Sequence, residues 1–204
     1  MLYELAHLSL DPFSLPKALA ELERYTTGPR AAGRLLGCWE TEHGEIFGRV
    51  ILLRSFTDAS EHDHERQRVL TGSNPYGVGE YLKNFEATSH AQFPYLPPIE
   101  PGSHGGVYEI RTYHLTVGGL SPTMAGWQQS LPARVELSPL TTALYALDGH
   151  PRITHIWPYS SLDQRLAIRA QAKQLGIWPP AQGPQYVTRA TSTIAVPTAF
   201  SPLL

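Results

Sequence analysis

The chain has 204 residues, 42% hydrophobic and 17% charged, proportions of an ordinary globular protein that exclude a disordered or fibrous one. With 16 Lys and Arg against 18 Asp and Glu the formal charge is -2, so there is no basic field to hold a phosphate backbone and nucleic acid is not an expected partner. No run of about 18 apolar residues is present to span a bilayer, the segment Met1 to Leu8 lacks the cationic start of a secretory signal, and Cys38 is the single cysteine, so a cytoplasmic protein with no membrane partner, no disulfide and no Cys-based metal site is expected.

In chain order the pattern predicts a strand near 2–10 and a helix near 15–27, started by Ser14 with Pro16 in its first turn. Strands near 34–41 and 45–55 follow, then a helix near 58–69 and a strand near 84–93. Residues 94–106, with four prolines and three glycines, read as a linker. Beyond it come a strand near 107–116, a helix near 121–137 started by Ser121-Pro122, and strands near 141–148 and 152–157 joined by the hairpin signal Asp148-Gly149. A helix near 161–175, stopped by Gly176, and a Thr- and Val-rich strand near 186–196 complete the chain.

The second half repeats the first. Tyr3-Glu4-Leu5 recurs as Tyr108-Glu109-Ile110 at an offset of 105, and the segment from Arg49 to Thr57 aligns with that from Arg152 to Ser160 at an offset of 103. Each half reads βαββαβ, the ferredoxin-like order. The expectation is therefore an α+β protein with repeats at 1–98 and 107–204, their sheets closing within one chain into the barrel that single-domain relatives build from two subunits.

Alternation along the strands separates Glu109, Arg111 and Tyr113 from Tyr108, Ile110 and Thr112, and His155, Trp157 and Tyr159 from Thr154 and Ile156. If Ile110 and Ile156 meet the helices, the polar and aromatic six share the open face between the two sheets. The first half offers Glu4, Ala6, Leu8, Leu52, Arg54 and Phe56 at the matching places. One apolar and one polar wall would then enclose a small-molecule pocket nearer the second half.

The segments Tyr108-Glu109-Ile110-Arg111-Thr112-Tyr113 and His155-Ile156-Trp157-Pro158-Tyr159, followed by a helix carrying Arg165 and Arg169, resemble the NIPSNAP family of the dimeric α–β barrel superfamily. The second half carries both segments; the first matches through Tyr3-Glu4-Leu5 and its element order. Pro151 departs from the family, which usually has asparagine at that turn. The resemblance implies the fold, and a superfamily of cofactor-independent monooxygenases, haem enzymes and isomerase-like proteins. Fold alone does not choose among them.

On this reading His155 is the candidate acid or base, Glu109 and Arg111 orient a polar ligand group, and Tyr113, Trp157 and Tyr159 form an aromatic wall around a small apolar or aromatic molecule. No cofactor or metal is expected, assembly into a homo-oligomer is left open, and two alternatives stand beside this one. In one, His155 binds haem; in the other, the cluster is a packed, non-catalytic core and the protein acts by interaction. The tract from Glu61 to Glu65 has its two histidines two apart, off a common helix face, and reads as a solvated helix start rather than a metal site. Gly77-Val78-Gly79 reads as an ordinary turn, and no Ser-His-Asp arrangement is present.

Overall fold

The computed structural model describes residues 1–204 except 45, 47 and 182. The order βαββαβ occurs twice. The first unit comprises β1 (Leu2–Leu10), α1 (Leu15–Thr27), β2 (Arg34–His43), β3 (Arg49–Phe56), α2 (Ala59–Thr71) and β4 (Leu82–Gln92). The second comprises β5 (Val107–Leu115), α3 (Leu120–Val135), β6 (Thr142–Ala146), β7 (Arg152–Tyr159), α4 (Leu162–Gln174) and β8 (Val187–Pro197). The start expected for β3 at 45 falls partly outside the described residues.

Helix starts follow capping chemistry, with two shifts from expectation. Asp58 accepts from the Glu61 N–H at 2.8 Å and Ser161 from the Gln164 N–H at 3.1 Å, opening α2 and α4. Ser14 makes no cap bond; Asp11 instead accepts from the Phe13 N–H and the Ser14 hydroxyl at the short 3₁₀ turn before α1. Helix α3 begins at Leu120 after Gly119, one residue before the expected serine, and contains Pro132.

All eight strands pair antiparallel and close into one barrel in the order β1-β3-β2-β8-β5-β7-β6-β4. The two seams between units are β2 with β8, where Trp39 opposes Pro197, and β4 with β6, where His90 opposes Ala146. Closure removes the free strand edges each unit alone would expose. No helix among the described residues is long and apolar enough to cross a membrane.

The barrel interior is apolar and drawn from both units: Tyr3, Leu5, Ile51 and Leu53 pack with Tyr108, Ile110, Leu144 and Ile156. Trp39 and Tyr108 meet across it with ring centroids 5.3 Å apart. The Trp39 ring lies over Gly37, where an added Cβ would fall 2.1 Å from the ring, so only glycine fits that position. The segment 94–106 does more than link the units. Gly102 donates its N–H to the Pro202 carbonyl and accepts from the Leu204 N–H, and Ile99 and Leu203 enter the interior cluster, so linker and C-terminal tail cover the barrel together.

The assignment of strand faces is thereby reversed. Ile110 and Ile156 point into the barrel, whereas Glu109, Arg111, Tyr113, His155, Trp157 and Tyr159 point outward beneath α3 and α4. In the first unit Leu8 and Leu52 likewise pack against helices instead of facing the second sheet. Alternation separates two faces without saying which one is interior, and here arginines on α4 reach the acid of β5 and so claim the polar face.

Candidate functional site in the helix–sheet layer of the second unit

Glu109, fully buried as the third residue of β5, anchors the site. Its carboxylate accepts from Arg111 at 2.9 Å, Arg165 at 2.5 Å, Arg169 at 3.2 Å and the Ser192 hydroxyl at 2.9 Å. Arg165 and Arg169 lie four apart on α4 and so share one helix face toward the sheet. Burial alone would raise this carboxyl; the Arg165 hydrogen bond, the charges of Arg169 and Arg111 and the Ser192 hydroxyl overcome it and hold the group down at about 2.

His155, on the neighbouring strand opposite Arg111, is also buried. Its Nδ1 accepts from the Trp157 indole N–H at 2.7 Å, which places the remaining proton on Nε2. Burial first, then the Arg111 charge, lowers this imidazole to about 3, so it is neutral at physiological pH. Its Nε2 has no protein partner. A neutral imidazole so buried is a poor proton acceptor near pH 7 and a good hydrogen-bond donor, which changes the chemistry available from general base to polarising donor. The rings of Tyr113 and Trp127 pack against it, with centroids 4.9 and 4.8 Å away.

Two adjoining cavities meet here. The inner one, about 130 Å³, is lined by all six predicted residues together with Arg134, Arg169, Lys173 and Trp178. The outer one, about 340 Å³, is walled by Trp127, Pro184 and Val187, and shares Tyr113, Trp178 and Pro179 with the inner. The pair thus combines a small polar chamber with a larger aromatic cleft, the composition usual for a small-molecule site. The expected set is brought together, but beneath the helices and not between the sheets.

Sequence reasoning missed Arg134, Trp127, Lys173 and Trp178. Arg134 is buried near the end of α3, its guanidinium carbon 4.2 Å from the Trp157 ring centroid. Nothing in the local pattern marks it, because helical periodicity around Pro132 is weak. Trp178, beside Pro179-Pro180, was more legible: a tryptophan in a proline-rich loop needs something to pack on.

The first unit uses the same layer differently. Arg54, replacing Trp157 at the matched position of β3, pairs with Glu4 at 2.7 Å and with Glu65 at 2.6 Å, and Arg68 and the Tyr25 hydroxyl complete the Glu65 contacts. His62 and Glu65 are buried, so the tract from Glu61 to Glu65 is only partly a solvated helix start. No group of three or more His, Cys, Asp or Glu residues among the described residues is placed to hold a metal.

An eight-stranded antiparallel barrel made of two ferredoxin-like units with helices outside defines an α–β barrel protein of the kind otherwise formed by dimers. The NIPSNAP family profile matches residues 3–89 and again 108–202, and the chain belongs to that family. A NipSnap homolog from Dictyostelium discoideum is 24% identical over 159 residues, 74% of this chain. The chain spans about two thirds of the length of such relatives, 68% of that protein and 64% of NipSnap from Drosophila melanogaster. Among solved structures, an anthrone oxidase-like protein superposes with a TM-score of 0.67 at 13% identity, over 97% of this chain and 91% of its own. A monooxygenase-like protein from Lactobacillus acidophilus NCFM gives 0.67 at 9% identity, over 96% and 93%. These likenesses establish the fold.

Proposed function

We propose that the protein binds a small apolar or aromatic molecule in the two cavities beneath α3 and α4, with Tyr113, Trp127 and Trp178 as the aromatic walls and the His155 Nε2–H as the polar contact. The observation that carries this is a buried, neutral imidazole donor without a protein partner, at the junction of an aromatic cleft and a charged chamber. Oxygenation of an electron-rich aromatic is the reaction class suggested by the anthrone oxidase-like and monooxygenase-like neighbours. In such a step Arg111 and Arg169 would stabilise developing negative charge while His155 donates a hydrogen bond to it.

Three of the four tryptophans line these cavities, so intrinsic fluorescence reports occupancy directly. Titration with 2-naphthamide should quench saturably, and anthrone with dissolved oxygen tests turnover. Quenching by 2-naphthamide that stays linear with its concentration, together with no oxidation of anthrone, would contradict the reading. The interaction-protein alternative draws on an apolar groove of about 540 Å³ formed by Tyr95, Leu96, Leu131, Pro132, Val135 and Leu140. Under that alternative, small aromatics leave the tryptophans unaffected.

A further inference from the structure

The two units balance charge differently in the layer between sheet and helices. In the first, two acids, Glu4 and Glu65, face two cations, Arg54 and Arg68. In the second, Glu109 repeats Glu4, but when α2 and α4 are aligned the place of Glu65 is taken by Ile168. The cations are more numerous there: Arg111, Arg165 and Arg169 converge on Glu109, and Arg134 and Lys173 line the same chamber.

Glu109 is already committed to its own neighbours: Oε1 accepts from Arg111, Arg165 and Ser192, and Oε2 from Arg169. Arg134, 3% exposed, has no carboxylate within ion-pair distance among the described residues. Its hydrogen bonds, to the Ser138 carbonyl and the Tyr159 hydroxyl, are both 3.4 Å long. A buried guanidinium so weakly satisfied calls for an anion. Two more donors on the chamber wall, Arg111 Nε and His155 Nε2, lack protein partners.

We infer that the inner chamber is a carboxylate site, and that the ligand is a small aromatic or apolar acid whose carboxylate supplies the second negative charge that the first unit builds in as Glu65. Its apolar body lies in the outer cleft between Trp127, Trp178 and Pro184. The inference rests on the preceding reading that a ligand occupies these cavities. A carboxylate is favoured over a phosphate because the chamber holds only about 130 Å³ and because planar guanidinium forks match a planar carboxylate.

The test is titration of the full chain in low-salt buffer with 2-naphthoate, 2-naphthamide and 2-naphthyl phosphate, read by tryptophan fluorescence and calorimetry. Naphthoate should bind at least about tenfold more tightly than the amide, the scale of one charge-assisted hydrogen bond. Arg134→Met and Lys173→Met should each reduce that preference, read as the ratio of naphthoate to naphthamide affinity, to below about threefold. Lys173 is exposed, so its variant keeps the test open if Arg134→Met fails to fold. Equal affinity for naphthoate and naphthamide overturns the carboxylate site and leaves the ligand reading standing. No binding of any probe removes both, and tightest binding of the phosphate overturns the choice of carboxylate.

Discussion

Replacing Glu109 by Gln removes the carboxylate that, among the described residues, alone pairs with Arg111, Arg165 and Arg169, while keeping the shape of the side chain. The carboxyl is held at about 2 against an ordinary value of 4.5, and at about 1.4 kcal/mol per unit that difference corresponds to about 3 kcal/mol of folding stability at neutral pH. Because the folded-state value is depressed, this stabilisation is complete above pH 4.5 and is lost as pH falls through about 2. Urea denaturation at pH 7 should therefore show Glu109→Gln weaker than wild type by about 3 kcal/mol, with the difference shrinking as pH falls from 4.5 and gone below about 2. A loss under about 0.5 kcal/mol at pH 7, within the range of an inert surface change, would refute the view that Glu109 organises the layer.

Arg54→Met strands Glu4 and Glu65 without their buried partner and should cost about 3–5 kcal/mol in the same assay, whereas a neutral outcome would mean that the first unit's network is dispensable. Gly37→Ala drives a methyl into the Trp39 ring and should destabilise by at least about 1–3 kcal/mol, with a changed near-ultraviolet signal from Trp39; an unaltered melting curve would show that the ring can move. His155→Ala and Leu52→Ala occupy matched positions in the two units and should both lose stability: about 1–3 kcal/mol for the former, whose loss leaves the Trp157 N–H unpaired, and about 2–5 for the latter. Only His155→Ala should weaken 2-naphthamide binding, and equal affinity in both variants would count against the site.

The element order was legible because punctuation repeats: Tyr-Glu openings, the Asp148-Gly149 hairpin and the glycine after α4 each mark a boundary that the structure keeps. The six residues of the site were legible as a set because strand alternation groups them. Their direction was not, since a buried Glu109 is compatible with either face until the partners of its charge are known, and those partners sit on α4, 56 and 60 residues away. Arg134 was out of reach for the same reason: what makes it part of the site is the packing of α3 over β7, a tertiary fact with no local period. Ala6, Leu8 and Leu52 read as a pocket wall yet fill the core beneath the first unit's helices, because Ala and Leu read the same whether they line a cavity or fill one.

The central claim is that the working site lies outside the barrel, between the second sheet and its helices. A crystal structure of the chain with 2-naphthoate tests it most directly. The account predicts ring density between Trp127, Trp178 and Pro184, with the carboxylate toward Arg111, Arg134 and His155. Ligand density inside the barrel, among Trp39, Tyr108 and Ile110, would contradict it.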